Sequence, residues 1–542
     1  MKRPRLRACL GMLACGLFAF WATPAPARLA DTLVLGMAQF APDLHPFVGS
    51  SGAKATVLGA IRRGLFAYGP DGALLCRLCT ALPTLANGGI TLGADGSQDV
   101  TVILRPDLAW ADGVQLTTAD LARGLAEARV FTGVDTRATV VGARMIRYHL
   151  PRPTADFARA LPDPVPAHIE TGDDPDPLRR LRASAFSRAP ATPGLWNGPY
   201  RLTALLPNQS VSLEPNPYWS GPKPAFQHVE LRLIENTAAL LANLLASDID
   251  VVSAELGLSF DQALTLAHDH ADRFTVSFAP GDGVELLAVQ LDNPLLADRR
   301  VRLAILQAID RATISARLFD RRQPVADNFL PPDLAVSAPA VQAPFDPAAA
   351  RRMLAAAGFT LGGDGILRAP AGQRFSIPLT TTAGNRVREL IEQVIQTQLR
   401  AVGIEVTIDN QPARVLFGET LRQRRFDGLV LYNFGLPPGL LPVEQFHSRA
   451  IPSAGNLWRG LNYPGLADPR MDAALDAAGS ALAPETQRAA WTRIQALYAE
   501  DLPTLPLLAS QKAIVTPGWL AGLAPPRERG MMTLWIEDWR PR

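Results

Sequence analysis

Cysteine and histidine are scarce in this sequence, whose 542 residues include four cysteines and seven histidines. Cys9 and Cys15 lie in an N-terminal segment that we expect to be removed, so Cys76 and Cys79 remain, in a C-x-x-C spacing. Two cysteines are fewer than the four ligands of a structural zinc site, and no thioredoxin-like strand and helix pattern surrounds them. We therefore predict a local disulfide in an oxidising compartment. With no Cys/His cluster in the sequence, we also expect no resident metal and no cofactor.

The motifs of common catalytic sites are absent as well. The sequence contains no G-x-S-x-G nucleophile elbow, no G-x-x-x-x-G-K-[ST] phosphate loop and no H-E-x-x-H zinc motif. His268 and His270 flank Asp269, and this trio fits a metal site or a solvated helix end, of which we expect the second. We predict that the protein is not an enzyme.

The sequence also lacks an excess of either charge. It has 53 basic and 51 acidic residues, and four of the basic ones stand in the first seven positions. Without residues 1–27 the chain has 49 basic and 51 acidic residues, a net charge of −2. This balance gives no support to nucleic-acid binding, so we expect no nucleic-acid partner.

The N-terminal segment has the three parts of a secretory signal peptide. Basic residues precede an apolar run from Ala8 to Ala22, and Ala25-Pro26-Ala27 provides a small-residue cleavage site. The run of about 15 residues is shorter than the roughly 20 of a membrane-spanning helix, which argues against an anchor. Met12-Leu-Ala-Cys15 is similar to a lipobox, but the apolar run continues past Cys15, so a lipoprotein is the weaker alternative. We predict cleavage after Ala27 and an exported, soluble protein.

Strand and helix patterns alternate along the rest of the chain. The central stretch from Asn197 to Pro222 has apolar positions at every second residue, broken by a polar turn at Asn208, and predicts two paired strands. A strand at 375–381, a helix at 386–401 and a strand at 404–408 follow one another with short links. The fold class predicted is α/β, with a mixed, mostly parallel sheet covered by helices.

Several of these segments resemble the extracellular solute-binding proteins of family 5, which are the peptide- and nickel-type substrate-binding subunits of ABC importers. The resemblance covers essentially the whole mature chain. It rests on segments that include Asn197-Gly-Pro-Tyr-Arg-Leu202, Trp110-Ala-Asp-Gly-Val-Gln-Leu-Thr-Thr-Ala-Asp120 (with one additional Thr), Asp298-Arg-Arg-Val-Arg302, Ile309-Asp-Arg311 and Asp501-Leu-Pro-Thr-Leu-Pro-Leu507.

The resemblance implies a two-lobed periplasmic binding protein fold, type II-like, with an inserted third subdomain. The predicted parts are a signal peptide at 1–27, a discontinuous lobe I at 28–48, 196–283 and 504–542, an inserted subdomain at 49–195, and lobe II at 284–503.

The same resemblance implies the function and the partners. The protein is expected to capture a peptide or peptide-like small solute between two lobes that close about a hinge, and to deliver it to an inner-membrane ABC permease. A metal chelate is an open alternative cargo, because nickel-type members bind metal through a chelator. We expect a monomer. Two other functions remain open, an exported hydrolase and a binding-protein fold that acts as a sensor or chaperone without a permease.

One segment departs from the family pattern. Peptide-binding members place an Asp shortly after an aromatic residue at a strand end, where it pairs with the ligand's α-ammonium. The matching segment here, Tyr432-Asn-Phe-Gly-Leu-Pro-Pro, has no acid before Glu444. A buried ammonium without a counter-charge is costly, so we predict that the ligand is not a plain free-amine peptide bound in the usual way. The candidate ligand contacts, each of which could also be a packing residue, are Phe47, Tyr432, Asn433, Phe434 and Trp458.

Overall fold

The computed structural model describes residues 31–542, apart from residues 42, 49–50, 70–72, 254–256, 333, 335, 437–439 and 525–531. The predicted signal peptide, the lipobox-like Cys15 and the first residues of predicted lobe I lie outside the described residues. Helices and strands are mixed along the described chain, so the predicted α/β class is confirmed. In this part of the chain no helix combines the length and the apolar character needed to cross a bilayer.

The strands of the described ranges form three larger sheets and three two-stranded pairs. In chain order the strands are β1 (Thr32–Met37), β2 (Phe66–Tyr68), β3 (Leu74–Cys76), β4 (Ile90–Leu92), β5 (Gln98–Ile103), β6 (Arg137–Val140), β7 (Met145–Leu150), β8 (Tyr200–Leu206), β9 (Ser210–Pro215), β10 (His228–Leu233), β11 (Val251–Val252), β12 (Phe274–Val289), β13 (Thr360–Leu361), β14 (Leu367–Arg368), β15 (Ser376–Thr380), β16 (Glu405–Ile408), β17 (Leu429–Gly435), β18 (Thr504–Pro517), β19 (Leu520–Ala521) and β20 (Arg540–Pro541).

The helices alternate with these strands along the chain. In chain order they are α1 (Gly52–Ile61), α2 (Thr118–Thr132), α3 (Phe157–Ala160), α4 (Pro177–Ala183), α5 (Ala185–Arg188), α6 (Thr237–Ala246), α7 (Phe260–Asp269), α8 (Arg299–Gln307), α9 (Arg311–Phe319), α10 (Pro347–Ala356), α11 (Arg386–Ala401), α12 (Ala413–Val415), α13 (Val443–Phe446), α14 (Pro469–Ser480) and α15 (Pro484–Asp501). Short 3-10 turns occupy Pro193–Leu195, Ser448–Ala450, Ala454–Asn456 and Met532–Asp538, and a wider turn occupies Leu416–Thr420.

The first sheet has the strand order β11–β1–β10–β9–β8. Strand β1 is parallel to both of its neighbours, while β10, β9 and β8 form an antiparallel meander. The hairpin predicted for the central stretch is confirmed: Asn208 forms its turn with a φ of 55°. The alternating apolar side chains of the two strands are all buried in the first core: Tyr200, Leu202, Val211 and Leu213.

Two asparagines of the central stretch hold this lobe together. Asn197 accepts from the Arg63 N–H and donates to the Arg63 carbonyl oxygen, at 2.9 Å each. Asn216 donates to the Gly198 carbonyl oxygen and accepts from the Tyr218 N–H, also at 2.9 Å. Buried polar groups need hydrogen-bond partners. The two amide side chains provide partners for backbone groups of Arg63, Gly198 and Tyr218, which lie outside the strands. The two asparagines are therefore structural residues.

The inserted subdomain contains an antiparallel sheet of order β4–β5–β7–β6 with a core of its own. Gly113, with a φ of 89°, makes the turn that the sequence predicts there. Thr117 caps α2 and forms a capping box with Asp120, whose carboxylate accepts from the Thr117 N–H at 2.7 Å. The other Asp120 oxygen accepts from the Ala167 N–H at 2.9 Å. The segment from Trp110 to Asp120 therefore makes a turn and caps α2, which is an architectural role.

The second sheet has the strand order β16–β15–β17–β12–β18. Strand β15 is parallel to β16 and β17, whereas β12 is antiparallel to β17 and β18. The sequence predicts a mostly parallel sheet, and this is wrong in part, since only two of the four pairings are parallel. The difference arises because β12 and β18 run through both lobes and do not belong to the repeated strand–helix units.

Two buried arginines join separate segments of the second lobe. Arg302, on α8, donates to the carbonyl oxygens of Leu502 at 3.0 Å and Leu296 at 2.8 Å. Arg311, on α9, donates to the Pro506 carbonyl oxygen at 3.1 Å. A guanidinium presents several N–H donors in a fixed plane, so one side chain can satisfy several orphan carbonyls. The Asp298–Arg302 and Asp501–Leu507 segments thus pack against each other.

Strands β12 and β18 run through both lobes as a paired ribbon. Phe274 and Val515, at one end, pack with Val34 of the first sheet. Val284 and the residues that follow it lie in the second core. The pairing register shifts between Pro280 and Val284, which marks a bulge where the ribbon passes between the lobes. The sequence predicts that this strand begins at Val284, whereas the structure begins it at Phe274.

The predicted lobe boundaries near 283/284 and 503/504 lie next to this crossing. Leu505, Leu507 and Leu508, in the first half of β18, are buried in the second core. Residues 504–509 therefore lie with the second lobe, although the sequence assigns 504–542 to lobe I. They do so because their partners in β12 are residues of the second lobe. The other boundaries remain predictions.

Cys76 and Cys79 are joined as a disulfide, with Cα atoms 5.5 Å apart. Cys76 ends β3, and Cys79 forms an isolated bridge with Leu104. The bond thus closes a short loop against the inserted sheet.

Candidate functional site between the two lobes

The carboxyl ends of the parallel strands in the second sheet point toward the first lobe. These ends are Thr380 in β15, Ile408 in β16 and Gly435 in β17. Gly435 pairs with Gly283, at the point where β12 arrives from the first lobe. In open α/β sheets, ligands bind outside the carboxyl ends of the strands. This edge is therefore one wall of a candidate site.

The carboxyl ends of the first sheet lie on the other side of the crossing. Ile249 and Asp250, just before β11, line one cavity with Phe274 and Pro517, the ribbon ends that are farthest from the crossing. Strand β11 also contacts β18, so β11 runs from these ends toward the crossing. Strand β1 is parallel to both β11 and β10, so the carboxyl ends of all three strands lie at the edge of the sheet that faces the crossing. The two edges enclose an interlobe cleft, the candidate functional site.

Phe47 follows β1 on a loop at this edge. Its ring packs against the first core, and its N–H donates to His45 Nδ1 at 3.3 Å. His45 is buried among the rings of Phe131 and Phe186, with centroids 4.6 Å and 5.6 Å away. Burial lowers the pKa of His45 to about 4, so the imidazole is neutral. His45 therefore anchors the loop that carries Phe47 to the inserted subdomain.

Tyr432 and Phe434 lie on the same face of β17, as residues two apart in a strand must. Tyr432 is 8% exposed and Phe434 is 6% exposed. Phe434 stacks on Phe446 with centroids 6.2 Å apart. Tyr432 contacts Phe417 and Tyr463 edge-on, at 6.1 Å and 6.4 Å. Both side chains belong to the second core, and most of the surface of each ring packs against other core residues.

Asn433 lies on the opposite face of β17, next to a charged pair that the sequence analysis did not single out. It is paired in register with Glu285 of β12. Glu285 accepts two hydrogen bonds from Arg388 of α11, each at 2.9 Å. The side chains of Glu285 and Arg388 are only 14% and 15% exposed. A signal did exist in the sequence, since Glu285 is the one charged residue in the apolar run 284–289.

Trp458 lies in a loop of left-handed backbone, half-buried, with a φ of 59°. Its N–H donates to the Ser453 carbonyl oxygen at 2.8 Å. Arg422 Nε donates to the Trp458 carbonyl oxygen at 3.3 Å. The charge of Arg422 also acts on Tyr463, the ring beside Tyr432, and opposes the rise in the Tyr463 pKa that burial causes. Trp458 is thereby linked to Tyr432 through Arg422 and Tyr463.

A buried acid lies on the same helix as Arg388. Glu392, one turn later on α11, has no exposed surface. Burial raises the pKa of Glu392 to about 7, with the nearby Asn410 opposing the rise and the charge of Glu389 adding to it. Asn410 in turn accepts from the Thr381 N–H at 3.1 Å, in the loop that follows β15. Neither carboxyl oxygen of Glu392 has a hydrogen-bond partner among the described residues, so the acid is buried close to the sheet edge without being bonded to it.

One Ser/His/Asp cluster bears on the hydrolase alternative. His447 Nδ1 lies 3.2 Å from Asp472 Oδ1, but the same nitrogen accepts from the Arg449 N–H. The Ser448 hydroxyl donates to Asp472 and not to the imidazole. A catalytic serine needs its hydroxyl on the imidazole that removes its proton, so this cluster is not a triad.

Metal ligands are not grouped in the described part of the chain. Three or more His, Cys, Asp or Glu side chains able to hold one ion do not come together there. His268 and Asp269, from the predicted trio, form an exposed pair 2.6 Å apart.

A family model provides the decisive comparison. The model for bacterial extracellular solute-binding proteins, family 5 Middle, matches residues 83–440, more than half of the chain. The chain belongs to this family. Its family 5 membership agrees with the segments that the sequence analysis compared, and the family is one of extracellular binding proteins.

Family 5 relatives match almost the whole chain. It is 26% identical over 487 residues to Protein XP55 of Streptomyces lividans, covering 87% of this chain and 82% of that protein. It is 25% identical over 538 residues to the oligopeptide-binding protein OppA of Mycobacterium tuberculosis, covering 92% and 83%. The structure of an oligopeptide-binding protein from Thermus thermophilus, complexed with a pentapeptide, has a TM-score of 0.71 at 24% identity, covering 93% and 96%. This likeness confirms the two-lobed fold.

Proposed function

We propose that this protein is the substrate-binding subunit of an ABC importer, which captures a peptide or peptide-like small solute between its lobes and delivers it to an inner-membrane permease. The observation that carries the proposal is the position of both sets of strand carboxyl ends on either side of the β12–β18 crossing. A ligand held there touches both lobes, so its binding favours the closed arrangement. The oligopeptide-binding relative supports peptide-like cargo.

The chemistry around Asn433 supports a cargo without an unpaired ammonium at this point. The segment from Tyr432 to Leu436 carries no acid. Glu285 is near, but Arg388 already neutralises it through two hydrogen bonds. A ligand ammonium would have to compete with a guanidinium that is held in place, which is unfavourable. N-blocked or cyclic peptides avoid this competition.

The proposal includes several further points that follow from the same role. The protein binds without turnover, and it needs no cofactor or resident metal. It acts as a monomer in the periplasm after removal of residues 1–27, and its partner is the permease and not a nucleic acid. The hydrogen bond from the Ser448 hydroxyl to Asp472 argues against a hydrolase at that cluster.

The first test is native mass spectrometry of the protein purified from its own periplasm, followed by thermal shift with each released compound. A co-purified solute that raises the melting temperature in proportion to the logarithm of its concentration supports binding without turnover. The compound must come off chemically unchanged. A released compound that the protein cleaves would overturn the proposal in favour of a hydrolase.

The same measurement separates the remaining alternatives. A free-amine dipeptide among the released compounds would contradict the argument from Asn433 and Glu285. An empty protein that peptides do not stabilise would favour a metal chelate as cargo, or the role of sensor or chaperone without a permease. Size-exclusion chromatography with light scattering checks the monomer.

A further inference from the structure

The inserted subdomain contains a cavity of about 530 Å³, away from the sheet edges described above. Ligand pockets for small molecules typically have roughly 300–1,000 Å³, so a small metabolite fits. Three arginines line it, Arg123 from α2, Arg180 from α4 and Arg188 from α5. We call it the arginine cavity. Alanine methyl groups of residues 183, 185 and 189 form the apolar part of its wall.

Two of the arginines share a single buried carboxylate. Glu127 accepts from Arg180 Nη2 at 2.9 Å and from Arg123 Nη2 at 2.6 Å, and its side chain is 3% exposed. Arg123 Nε is buried and has no hydrogen-bond partner among the described residues. One negative charge, that of Glu127, therefore serves two guanidiniums at the back of the cavity, which leaves room for a second negative group beside them.

An exposed side chain already occupies the place where such a group would lie. Asp173 Oδ1 is 2.9 Å from Arg123 Nη1 and 3.9 Å from Arg180 Nη2. The Asp173 side chain is 87% exposed, so water screens this ion pair and little is lost when it opens. A carboxylate from a ligand can take the same position between the two guanidiniums.

Two carboxylates and a third arginine also line the wall. Glu170 accepts from the Ser184 hydroxyl at 3.0 Å and from the Ala185 N–H at 2.7 Å. Asp174 is held by Arg179, with hydrogen bonds of 2.8 Å and 3.1 Å. Arg188 is exposed and makes no ion pair with the described residues, so its charge is available at the mouth of the cavity.

We propose that the arginine cavity is a second binding site, separate from the interlobe cleft, for a small solute with two carboxylates. One carboxylate displaces Asp173 and bridges Arg123 and Arg180, and the other pairs with Arg188. The carbon chain between them lies against the alanine methyl groups. A planar guanidinium matches a carboxylate with two parallel hydrogen bonds, which favours carboxylates over chloride.

The test is isothermal titration calorimetry of the mature protein with succinate at low ionic strength. Wild type is expected to bind one succinate. Asp173→Asn removes the competing carboxylate and should tighten binding about fivefold, while Arg188→Gln should weaken it about fivefold, the size expected of one exposed ion pair. Arg182→Gln is the matched control, since Arg182 is exposed on α4 and does not line the cavity. It should leave the affinity unchanged.

The outcomes that overturn the proposal are distinct. Absence of succinate binding at millimolar concentration in both wild type and Asp173→Asn would exclude the site. Equal succinate affinity in wild type, Asp173→Asn and Arg188→Gln would show that succinate binds outside the arginine cavity. Succinamide, which has the same length without charge, should not bind, and binding of succinamide as tight as that of succinate would remove the role of the arginines. All three substituted side chains are exposed, so equal melting temperatures are expected.

Discussion

At the scale of single residues, Asn433 occupies the position in β17 where a carboxylate would change which ligands the protein binds. It lies beside Gly283, where the chain passes between the lobes. Asn433→Asp adds a carboxylate that Arg388 does not neutralise, so affinity for a free-amine dipeptide should rise about tenfold, the worth of one charge-assisted hydrogen bond. Isothermal titration calorimetry measures this change in affinity. Asn208→Asp, in the β8–β9 turn, is the matched control, and an unchanged affinity in Asn433→Asp would contradict the assignment.

Glu392 gives a pH dependence at the same scale. Its pKa in the folded protein is about 7, against a usual value of 4.5, so the folded state holds the proton more tightly than the unfolded chain. The free energy of unfolding should therefore fall as the pH rises from about 4.5 to 7. Glu392→Gln should remove this fall and stabilise the protein at pH 8 by about 2–3 kcal/mol, with little effect at pH 4.

Urea unfolding at both pH values checks this prediction. Glu485→Gln is the control, because Glu485 is exposed on α15 and is not among the groups that act on Glu392. A Glu392→Gln protein that is equally destabilised at both pH values would show that the contribution of this side chain does not depend on its protonation, which contradicts a raised pKa.

At the scale of elements, the β12–β18 ribbon depends on close contact at its bulge. A Cβ at Gly283 would lie 2.6 Å from the Phe434 carbonyl oxygen and closer still to the Asn433 side chain. Gly283→Ala should lower the free energy of unfolding by about 1–3 kcal/mol, since β17 must move to make room. Gly142→Ala is the control, because nothing lies within 4 Å of its added Cβ. Equal denaturation midpoints for Gly283→Ala and wild type would show that β12 and β17 can shift at the bulge without loss of stability.

The same ribbon explains what could and could not be predicted from the sequence. The β8–β9 hairpin and the α2 cap were predictable because alternation and capping residues are local signals. The start of β12 at Phe274 was not, since residues 274–283 are strand only through pairing with β18, more than 200 positions later. Likewise the sequence predicts Tyr432, Asn433 and Phe434 together as ligand contacts, but alternation along β17 puts Asn433 on the other face. The Glu285–Arg388 pair needed the tertiary fold to bring its members together.

At the scale of the whole molecule, two quantities report on the proposed role. The radius of gyration measured by small-angle X-ray scattering should fall when the native cargo is added, because a ligand that contacts both lobes favours closure. Gly142→Ala should close like wild type. A radius that stays constant at saturating cargo would mean that the lobes do not move.

The mature chain is expected to begin at Arg28. Intact mass spectrometry of the periplasmic protein should give the mass of residues 28–542. A mass that includes residues 1–27, or one that carries lipid on Cys15, would contradict the predicted cleavage after Ala27.

The position of β18 also determines when the second sheet can be completed as the chain is synthesised, N-terminus first. Strand β12 is flanked by β17 and by β18, and β18 is made of residues 504–517 of 542. The second lobe cannot complete its sheet until nearly all of the chain has emerged, because its edge strand comes last. Contacts this distant in sequence form slowly. The inserted subdomain, whose core lies between Leu65 and Leu161, can form early, whereas the second lobe must wait for almost the last residues of the chain.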